Sequence, residues 1–296
     1  MDRAFRYLRK RKVRHTLTNL NFNKVIRTTD PSRINFREKF DLQGKVIVIS
    51  GACGLIGRAF CEAVAQFGGH VVAADIPQAK PKEFAQQLEE RTGVKCLGAE
   101  VEVERKGSVQ ELKAAAIAAF GRIDGLVTGH QNKSHLIFEP FEAVSEENWD
   151  KVVEVNLKGT FLLCQVIGSH MAEQGSGSIV NIPSTYSVVA PNQNLYKGTK
   201  MGCPAAYSAS KGGIDALSQY LASYWAAKGV RVNMITPHGV WNNHEEQFEK
   251  NFAGFSPMQR MSYNHEVAPA LIYLLSDASS YVTGNNMLVE GGWTTW

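Results

Sequence analysis

The segment Lys45–Ser50 is a short β-branched run bounded by glycine, and it leads directly into Ser50-Gly51-Ala52-Cys53-Gly54-Leu55-Ile56-Gly57. No other feature restricts the fold as much. The run predicts a buried strand, and Leu55–Phe67 behind it predicts a helix. Glycines at 51, 54 and 57 let the backbone turn tightly and come close to a pyrophosphate. The helix that follows points its free N–H groups and the positive end of its dipole at such an anion. A glycine triplet alone also fits a tight turn with close helix packing. Placed between a strand and a helix, it points to a dinucleotide.

The same alternation continues along the chain. Strands are expected at His70–Asp75, Lys95–Val101, Gly125–Thr128, Ser178–Ile182, Arg231–Ile235 and Asn286–Val289. Helices are expected at Lys82–Thr92, Gly107–Phe120, Asn148–Met171, Ala206–Ala227 and Glu266–Ser276, the last weakened in its first turn by Pro269. Strands alternating with helices imply a parallel sheet covered on both faces. The expected architecture is α/β: one Rossmann-type, doubly wound domain over residues 40–296, behind an N-terminal extension. At 296 residues the chain is long enough for such a core.

Charge is unevenly spread. Residues 1–39 hold twelve Lys/Arg against Asp2, Asp30 and Glu38, or +9; the total of +4 leaves −5 for residues 40–296. Within this arm Phe5, Leu8, Val13, Leu17 and Leu20 recur at roughly helical spacing. A basic amphipathic helix lying on an anionic membrane through residues 1–38 is one reading; a solvated extension and a cleaved presequence are others. The charge-free stretch Val46–Gly57 is too short and glycine-rich to span a bilayer, and no secretory signal pattern opens the chain. Five cysteines, an odd count without a C-x-x-C pair, read as reduced thiols of a cytoplasmic protein. No metal site is expected.

Asp75 ends the second strand, eighteen residues after Gly57. A carboxylate there accepts hydrogen bonds from ribose hydroxyls and repels a 2′-phosphate, which favours NAD over NADP. Arg58, the nearest cation, falls inside the helix rather than in the turn. Glu102 is placed to reach an adenine edge, or is a plain surface carboxylate. Two Tyr-x-x-x-Lys matches occur. Tyr207 and Lys211 open a clean helical run, so phenol and ammonium share one face. Tyr196-Lys197-Gly198-Thr199-Lys200 precedes Gly202 and Pro204 and reads as loop. An ammonium beside a phenol stabilises phenolate, lowering the tyrosine pKa toward the working range for acid–base chemistry. Ser184, just past the fifth strand, supplies a hydroxyl for a substrate oxygen. Asn156 is placed to anchor a water or a backbone contact behind Lys211.

These residues resemble the short-chain dehydrogenase/reductase superfamily over about residues 40–296. The likeness rests on Phe40–Val46, the glycine turn, Asp75, Asn156–Phe161, Ser184, Tyr207–Lys211, Val232-Asn233 and the tail Ser276-Asp277, Thr283–Asn285 and Gly291-Gly292. It implies a catalytic set of Asn156, Ser184, Tyr207 and Lys211. It implies an NAD site built from Gly51, Cys53, Gly54, Leu55, Ile56, Gly57, Asp75, Ile76, Glu102, Val103, Thr128, Gly129, Tyr207, Lys211, Pro237, Gly239 and Val240. A narrower likeness, to bacterial flagellin-modification and surface-sugar oxidoreductases, rests on the glycine spacing, the long insertion between Ser184 and Tyr207, and Trp241–Asn243, Phe255–Pro257 and Gly291–Trp296. The chain departs from the superfamily after the fourth strand, where Thr128-Gly129-His130-Gln131 replaces Asn-Asn-Ala-Gly, and at Pro237-His238-Gly239, where one residue is inserted.

The insertion Pro191–Pro204 carries amides and lysines that suit sugar hydroxyls and a phosphate or carboxylate. Ser184, His130, Tyr196, Lys200, His238 and Trp241 are the expected substrate contacts. The resulting expectation is a hydride transfer between the nicotinamide and a secondary alcohol of a sugar, sugar phosphate or nucleotide-sugar, in a homodimer or homotetramer. It is placed in the cytoplasm, with the arm offering contact to the membrane's inner face. Reduction of a 3-oxoacyl thioester or another small ketone is the alternative on the same machinery. A non-catalytic scaffold with a binding arm is the alternative of another class; no aromatic platform for nucleic acid accompanies the arm.

Overall fold

The computed structural model describes residues 29–132 and 140–296. Its contacts divide the chain into two units, 1–34 and 35–296. In the first, the described part holds one short 3-10 turn, Pro31–Arg33, whose leading Asp30 side chain accepts the Ser32 N–H at 3.0 Å. The helix expected in the basic arm falls on residues outside the described ones. The remainder concerns the second unit.

Seven strands form one parallel sheet: β1 (Val46–Ser50), β2 (His70–Asp75), β3 (Cys96–Glu100), β4 (Gly125–Thr128), β5 (Gly177–Asn181), β6 (Val230–Pro237) and β7 (Asn286–Val289). Their order is β3-β2-β1-β4-β5-β6-β7. The helices are α1 (Leu55–Gln66), α2 (Pro81–Thr92), α3 (Lys106–Phe120), α4 (Glu146–Val153), α5 (Gly159–Leu163), α6 (Ser169–Gln174), α7 (Ala205–Trp225), α8 (Glu246–Phe255) and α9 (Asn264–Leu275).

Strand periodicity sorts side chains onto two faces. Val46 and Val48 of β1 enter one core with Val109 and Leu112 of α3, Leu162 and Leu163 of α5, and Leu221 and Trp225 of α7. Ile47 and Ile49 enter the other, with Phe60 and Val64 of α1, Leu88 of α2, and Leu271 and Ile272 of α9. Each fully buried residue of this size contributes about 1.5–3 kcal/mol. With both faces covered, only the strand ends are left to meet a ligand. The order reverses between β1 and β4, and the crevice outside the carboxyl ends at such a switch is where this topology binds ligands.

Three elements differ from the sequence reading. The expected helix Asn148–Met171 runs from Glu146 to Gln174, and two π-helical turns, Glu154–Lys158 and Cys164–Gly168, interrupt it. Helix α8 was not anticipated, although Phe248, Phe252 and Phe255 recur at helical spacing. Phe248 and Phe252 form a third apolar cluster with Leu195 of the insertion, Met261 and Trp293 near the chain end. Helix α9 starts two residues early, so Pro269 lies inside it rather than in its first turn.

Candidate active site

The glycine turn is built by close backbone approach. Gly51 takes φ +70°, and a Cβ there would lie 2.8 Å from the Gly129 backbone. A Cβ on Gly57 would lie 2.0 Å from the Gly51 carbonyl oxygen. At Gly54 such a Cβ would meet, among the described residues, the Gly51 oxygen at 3.3 Å, a tight contact that needs only a small shift. Helix α1 begins at Leu55 with Gly54 as its N-cap and no side-chain cap, which leaves the N–H groups at Leu55 and Ile56 for an anion.

Asp75 closes the turn from the end of β2. One carboxylate oxygen accepts the Cys53 N–H at 2.8 Å and the other the Ile76 N–H at 2.9 Å. Arg58 starts inside α1 but folds back: its Nε donates to the Cys53 carbonyl at 2.9 Å, and its guanidinium lies 4.6 Å from the Phe84 ring centre. The Glu102 carboxylate is held by Arg105 at 2.6 Å, which is the surface-carboxylate reading rather than the adenine one. Val103 is buried beside Gly159. Gly129 donates its N–H to the Ser50 carbonyl at 3.1 Å. Thr128 donates to Asn181 at 2.8 Å, tying β4 to β5 where the superfamily uses asparagine.

His130 corrects an expectation. Its Nδ1 lies 2.8 Å from the Ser50 hydroxyl and its Nε2 lies 3.1 Å from the Val155 carbonyl. The carbonyl can only accept, so Nε2 carries the proton and both ring nitrogens are used inside the protein. Burial, then the nearby Lys211 charge, pushes its pKa down to about 3. His130 is a neutral internal brace, not a substrate contact.

Tyr207 sits in the first turn of α7, just after its N-cap Pro204, and Lys211 sits one turn later. The Lys211 Nζ lies 5.6 Å from the Tyr207 ring centre and donates to the Ile182 carbonyl at 2.8 Å. Ser184 leads the 3-10 turn Thr185–Ser187; its hydroxyl accepts the Tyr186 N–H at 3.3 Å and lies near enough to the Tyr207 phenol to oppose the rise in that group's pKa. The first π-helical turn carries Asn156, whose Oδ1 accepts the Asn132 N–H at 2.8 Å and whose Nδ2 donates to Ser210 at 3.2 Å. Ser210 donates in turn to the Tyr207 carbonyl at 2.8 Å. Asn156 thus braces the helical turn that carries Tyr207, through the residue next to Lys211. Such π bulges often mark functional sites.

Burial pushes Lys211 down to about 8. Burial also pushes Tyr207 up to about 12, against the opposing effect of Ser184. The expected lowering of Tyr207 is therefore not supplied by the protein alone. Loss of solvation outweighs a lysine whose ammonium is directed at a backbone carbonyl.

The ends of β5 and β6 form the other half. Pro237 ends β6, Gly239 takes φ +56° beneath the Phe252 ring, and Val240 bridges to Ser262. The inserted His238 is buried in the wall of a small cavity that it shares with Phe252, Ser262 and Glu290, and its Nε2 has no hydrogen-bond partner among the described residues. Its ring packs 4.3 Å from Trp293, 5.2 Å from Phe252 and edge-on at 5.5 Å to Tyr186, centre to centre, and burial pushes its pKa down to about 4. Trp241 donates its indole N–H to Glu249 at 2.6 Å, and the Lys200 backbone N–H donates to Glu245 at 2.9 Å. Tyr196 stacks on Phe248, and its hydroxyl meets the Tyr186 hydroxyl at 2.6 Å. Tyr186 was missed in the sequence; the available signal was a phenol two residues beyond Ser184. Among the described residues no group of three His, Cys, Asp or Glu could hold a metal ion, and no helix is long and apolar enough to cross a membrane.

The glycine turn, the uncapped helix start and the strand-end carboxylate fit a dinucleotide, and the Tyr207–Ser184 pair fits proton transfer. Together they define the class of nucleotide-dependent α/β oxidoreductases. The chain belongs within it to the short-chain dehydrogenase/reductase superfamily: a family model described as enoyl-(acyl carrier protein) reductase matches residues 51–294. A D-threitol dehydrogenase of Mycolicibacterium smegmatis is 35% identical over 86% of this chain and 95% of its own length. An NAD-dependent glycerol dehydrogenase of Listeria innocua is 34% identical over 88% and 97%. The post-translational flagellin modification protein A of Campylobacter coli is 28% identical over 85% and 99%. Among solved structures, a gluconate 5-dehydrogenase from Burkholderia cenocepacia in complex with NADP and tartrate superposes with a TM-score of 0.78 at 26% identity, covering 88% of this chain and 98% of that one. The protein is an alcohol/ketone oxidoreductase that uses a nicotinamide cofactor.

Proposed function

We propose that the protein is an NAD-dependent dehydrogenase acting on a secondary alcohol of a sugar, sugar derivative or related polyol, in the making of a bacterial surface glycan. The observation that carries this reading is the Tyr207 phenol with Lys211 one helical turn behind it and the Ser184 hydroxyl at hand, on the domain whose glycine turn is closed by Asp75. A bound nicotinamide would supply the hydride acceptor and a positive charge that favours phenolate. Tyr207 takes the hydroxyl proton, Ser184 holds the reacting oxygen, and Lys211 adds positive charge behind the phenol. In the reverse direction Tyr207 donates the proton to a ketone. Asn156 keeps the first turn of α7 in place.

NAD is favoured because the Asp75 carboxylate stands where a 2′-phosphate would bring like charge. A polyhydroxylated substrate is supported by the paired hydroxyls of Tyr196 and of Tyr186, whose backbone N–H donates to the Ser184 hydroxyl, and by the names of the threitol and glycerol dehydrogenases. The flagellin relative supports the glycan setting. A 3-oxoacyl reductase would want an apolar channel there. Exposed Phe161, Tyr220 and Tyr224 on α5 and α7 support pairing of these helices between subunits. The test is direct: pure protein with NAD or NADP is given sugar phosphates, nucleotide-sugars, polyols and acyl ketones, and reduced-cofactor absorbance is followed. Turnover confined to acyl ketones would overturn the sugar reading.

A further inference from the structure

The insertion between Ser184 and Tyr207 brings a second phenol against one that follows the catalytic serine. The Tyr186 and Tyr196 oxygens are 2.6 Å apart, and both side chains are partly buried. Tyr196 is fixed from behind by its stack on Phe248, at 6.0 Å between ring centres. Tyr186 is fixed by the edge contact to His238, which itself packs on Trp293. Helix α8, the inserted histidine and the chain end therefore converge on holding this pair in place.

A proton inventory shows what the pair offers. Two phenols carry two O–H groups, and the bond between them uses one. The other proton needs an acceptor in a half-buried setting, where an unmade bond is costly. Within the protein, the Cys203 thiol meets the Ser208 hydroxyl at 3.6 Å and lies near enough to the Tyr196 hydroxyl for that group to lower its pKa. Sulfur is a weak acceptor, so a substrate oxygen competes with it successfully. Burial raises the pKa of both phenols above the ordinary phenol range, so both stay protonated donors. The Tyr186 N–H donates to the Ser184 hydroxyl at 3.3 Å, which ties the pair to the serine beside the reacting group.

We infer that Tyr186, oriented by Tyr196, donates a hydrogen bond to a second hydroxyl of the substrate, next to the carbon that loses hydride, and so selects vicinal diols over simple alcohols. This inference rests on the polyhydroxylated substrate proposed above and specifies how it is recognised. Tyr186 is a binding residue and Tyr196 a positioning residue.

The test compares, within each variant, kcat/KM for polyhydroxylated probes (glycerol, D-threitol, D-gluconate and UDP-glucose) with that for butan-2-ol, using the cofactor the wild type turns over. Taking the ratio inside one variant cancels losses from partial misfolding. Tyr186→Phe is expected to lower the ratio about tenfold, the loss of one neutral hydrogen bond to substrate. Tyr196→Phe is expected to lower it less, through KM rather than kcat. An unchanged ratio in Tyr186→Phe overturns the inference, as does a drop confined to Tyr196→Phe. A wild type that oxidises butan-2-ol and none of the polyhydroxylated probes overturns the substrate reading itself, and this inference with it.

Discussion

The ends of β1 and β2 present backbone to a ligand, whereas the ends of β5 and β6 present side chains. In the first region the decisive contacts are N–H groups, carbonyls and absent Cβ atoms: Gly57 against the Gly51 oxygen, and the Cys53 N–H on Asp75. In the second they are rings and hydroxyls: Tyr186 on Tyr196, and His238 between Trp293 and Phe252. A backbone cradle fits the part of a ligand that never changes, such as a pyrophosphate. A side-chain wall can be rebuilt by substitution and insertion without touching the sheet. One chain thus combines a fixed cofactor half with an adjustable substrate half, and Tyr207 stands where they meet.

The largest effect is expected at that junction. Tyr207→Phe should lower kcat about a thousandfold by removing the acid–base group, while cofactor affinity, read by fluorescence titration, stays within about twofold. The wild type should oxidise alcohol faster as pH rises through the neutral and alkaline range. Burial holds Tyr207 in its protonated form, and oxidation needs the unprotonated one. Ketone reduction needs the proton and should show no such rise. A pH-independent oxidation rate, with the chemical step limiting, would remove Tyr207 from the proton path.

The second region breaks next. Phe252→Ala takes a fully buried ring from the third cluster, from beneath Gly239 and from beside His238. A cost of about 3 kcal/mol is expected in urea unfolding. Substrate KM should rise while cofactor affinity is kept, because the cluster and the glycine turn are built from different elements. Equal loss of both would mean that the two halves are not separable.

How far each half could be read from the sequence follows the same division. Glycine spacing, Asp75 and the Tyr207–Lys211 pair were legible because backbone geometry and the helical repeat tie them to fixed intervals. The substrate wall was not, because Tyr186, His238, Phe252 and Trp293 meet only through tertiary packing. Asn156 was named, but its π-helical turn was not foreseen, since nothing in the local residues marks the extra residue in the turn. For His130 a substrate-facing and a structural reading stood open together, because a histidine after a strand end looks alike whether it faces a cleft or, as here, Ser50 and Val155. Helix α8 carried a readable signal in Phe248, Phe252 and Phe255.

The glycines separate fold from ligand within the first region. Gly57→Ala puts a methyl into the Gly51 oxygen, so both stability and cofactor binding should fall, by about 1–3 kcal/mol in unfolding. Gly54→Ala meets the Gly51 oxygen at 3.3 Å, tight but far looser than the 2.0 Å at Gly57. It should melt close to wild type and still bind cofactor about tenfold more weakly, because the methyl occupies the approach of the anion. If Gly54→Ala instead lowers the melting temperature as much as Gly57→Ala, this side of the turn is not a ligand surface.

Asp75 gives the most selective effect, because it serves both structure and recognition. Its carboxylate accepts the Cys53 and Ile76 N–H groups, so deleting it would loosen the turn and confuse the two roles. Asp75→Asn keeps one acceptor oxygen and removes the charge. The NADP-to-NAD preference, as a ratio of kcat/KM values, should then rise about tenfold, the order of one relieved like-charge contact near the surface. Stability should fall by about 1.5–3 kcal/mol, the worth of one hydrogen bond to a charged group, because the amide nitrogen cannot accept the second N–H. A ratio that stays put while NAD binding weakens would mean that Asp75 acts only as the clasp of the glycine turn, and the preference for NAD would have to be sought elsewhere.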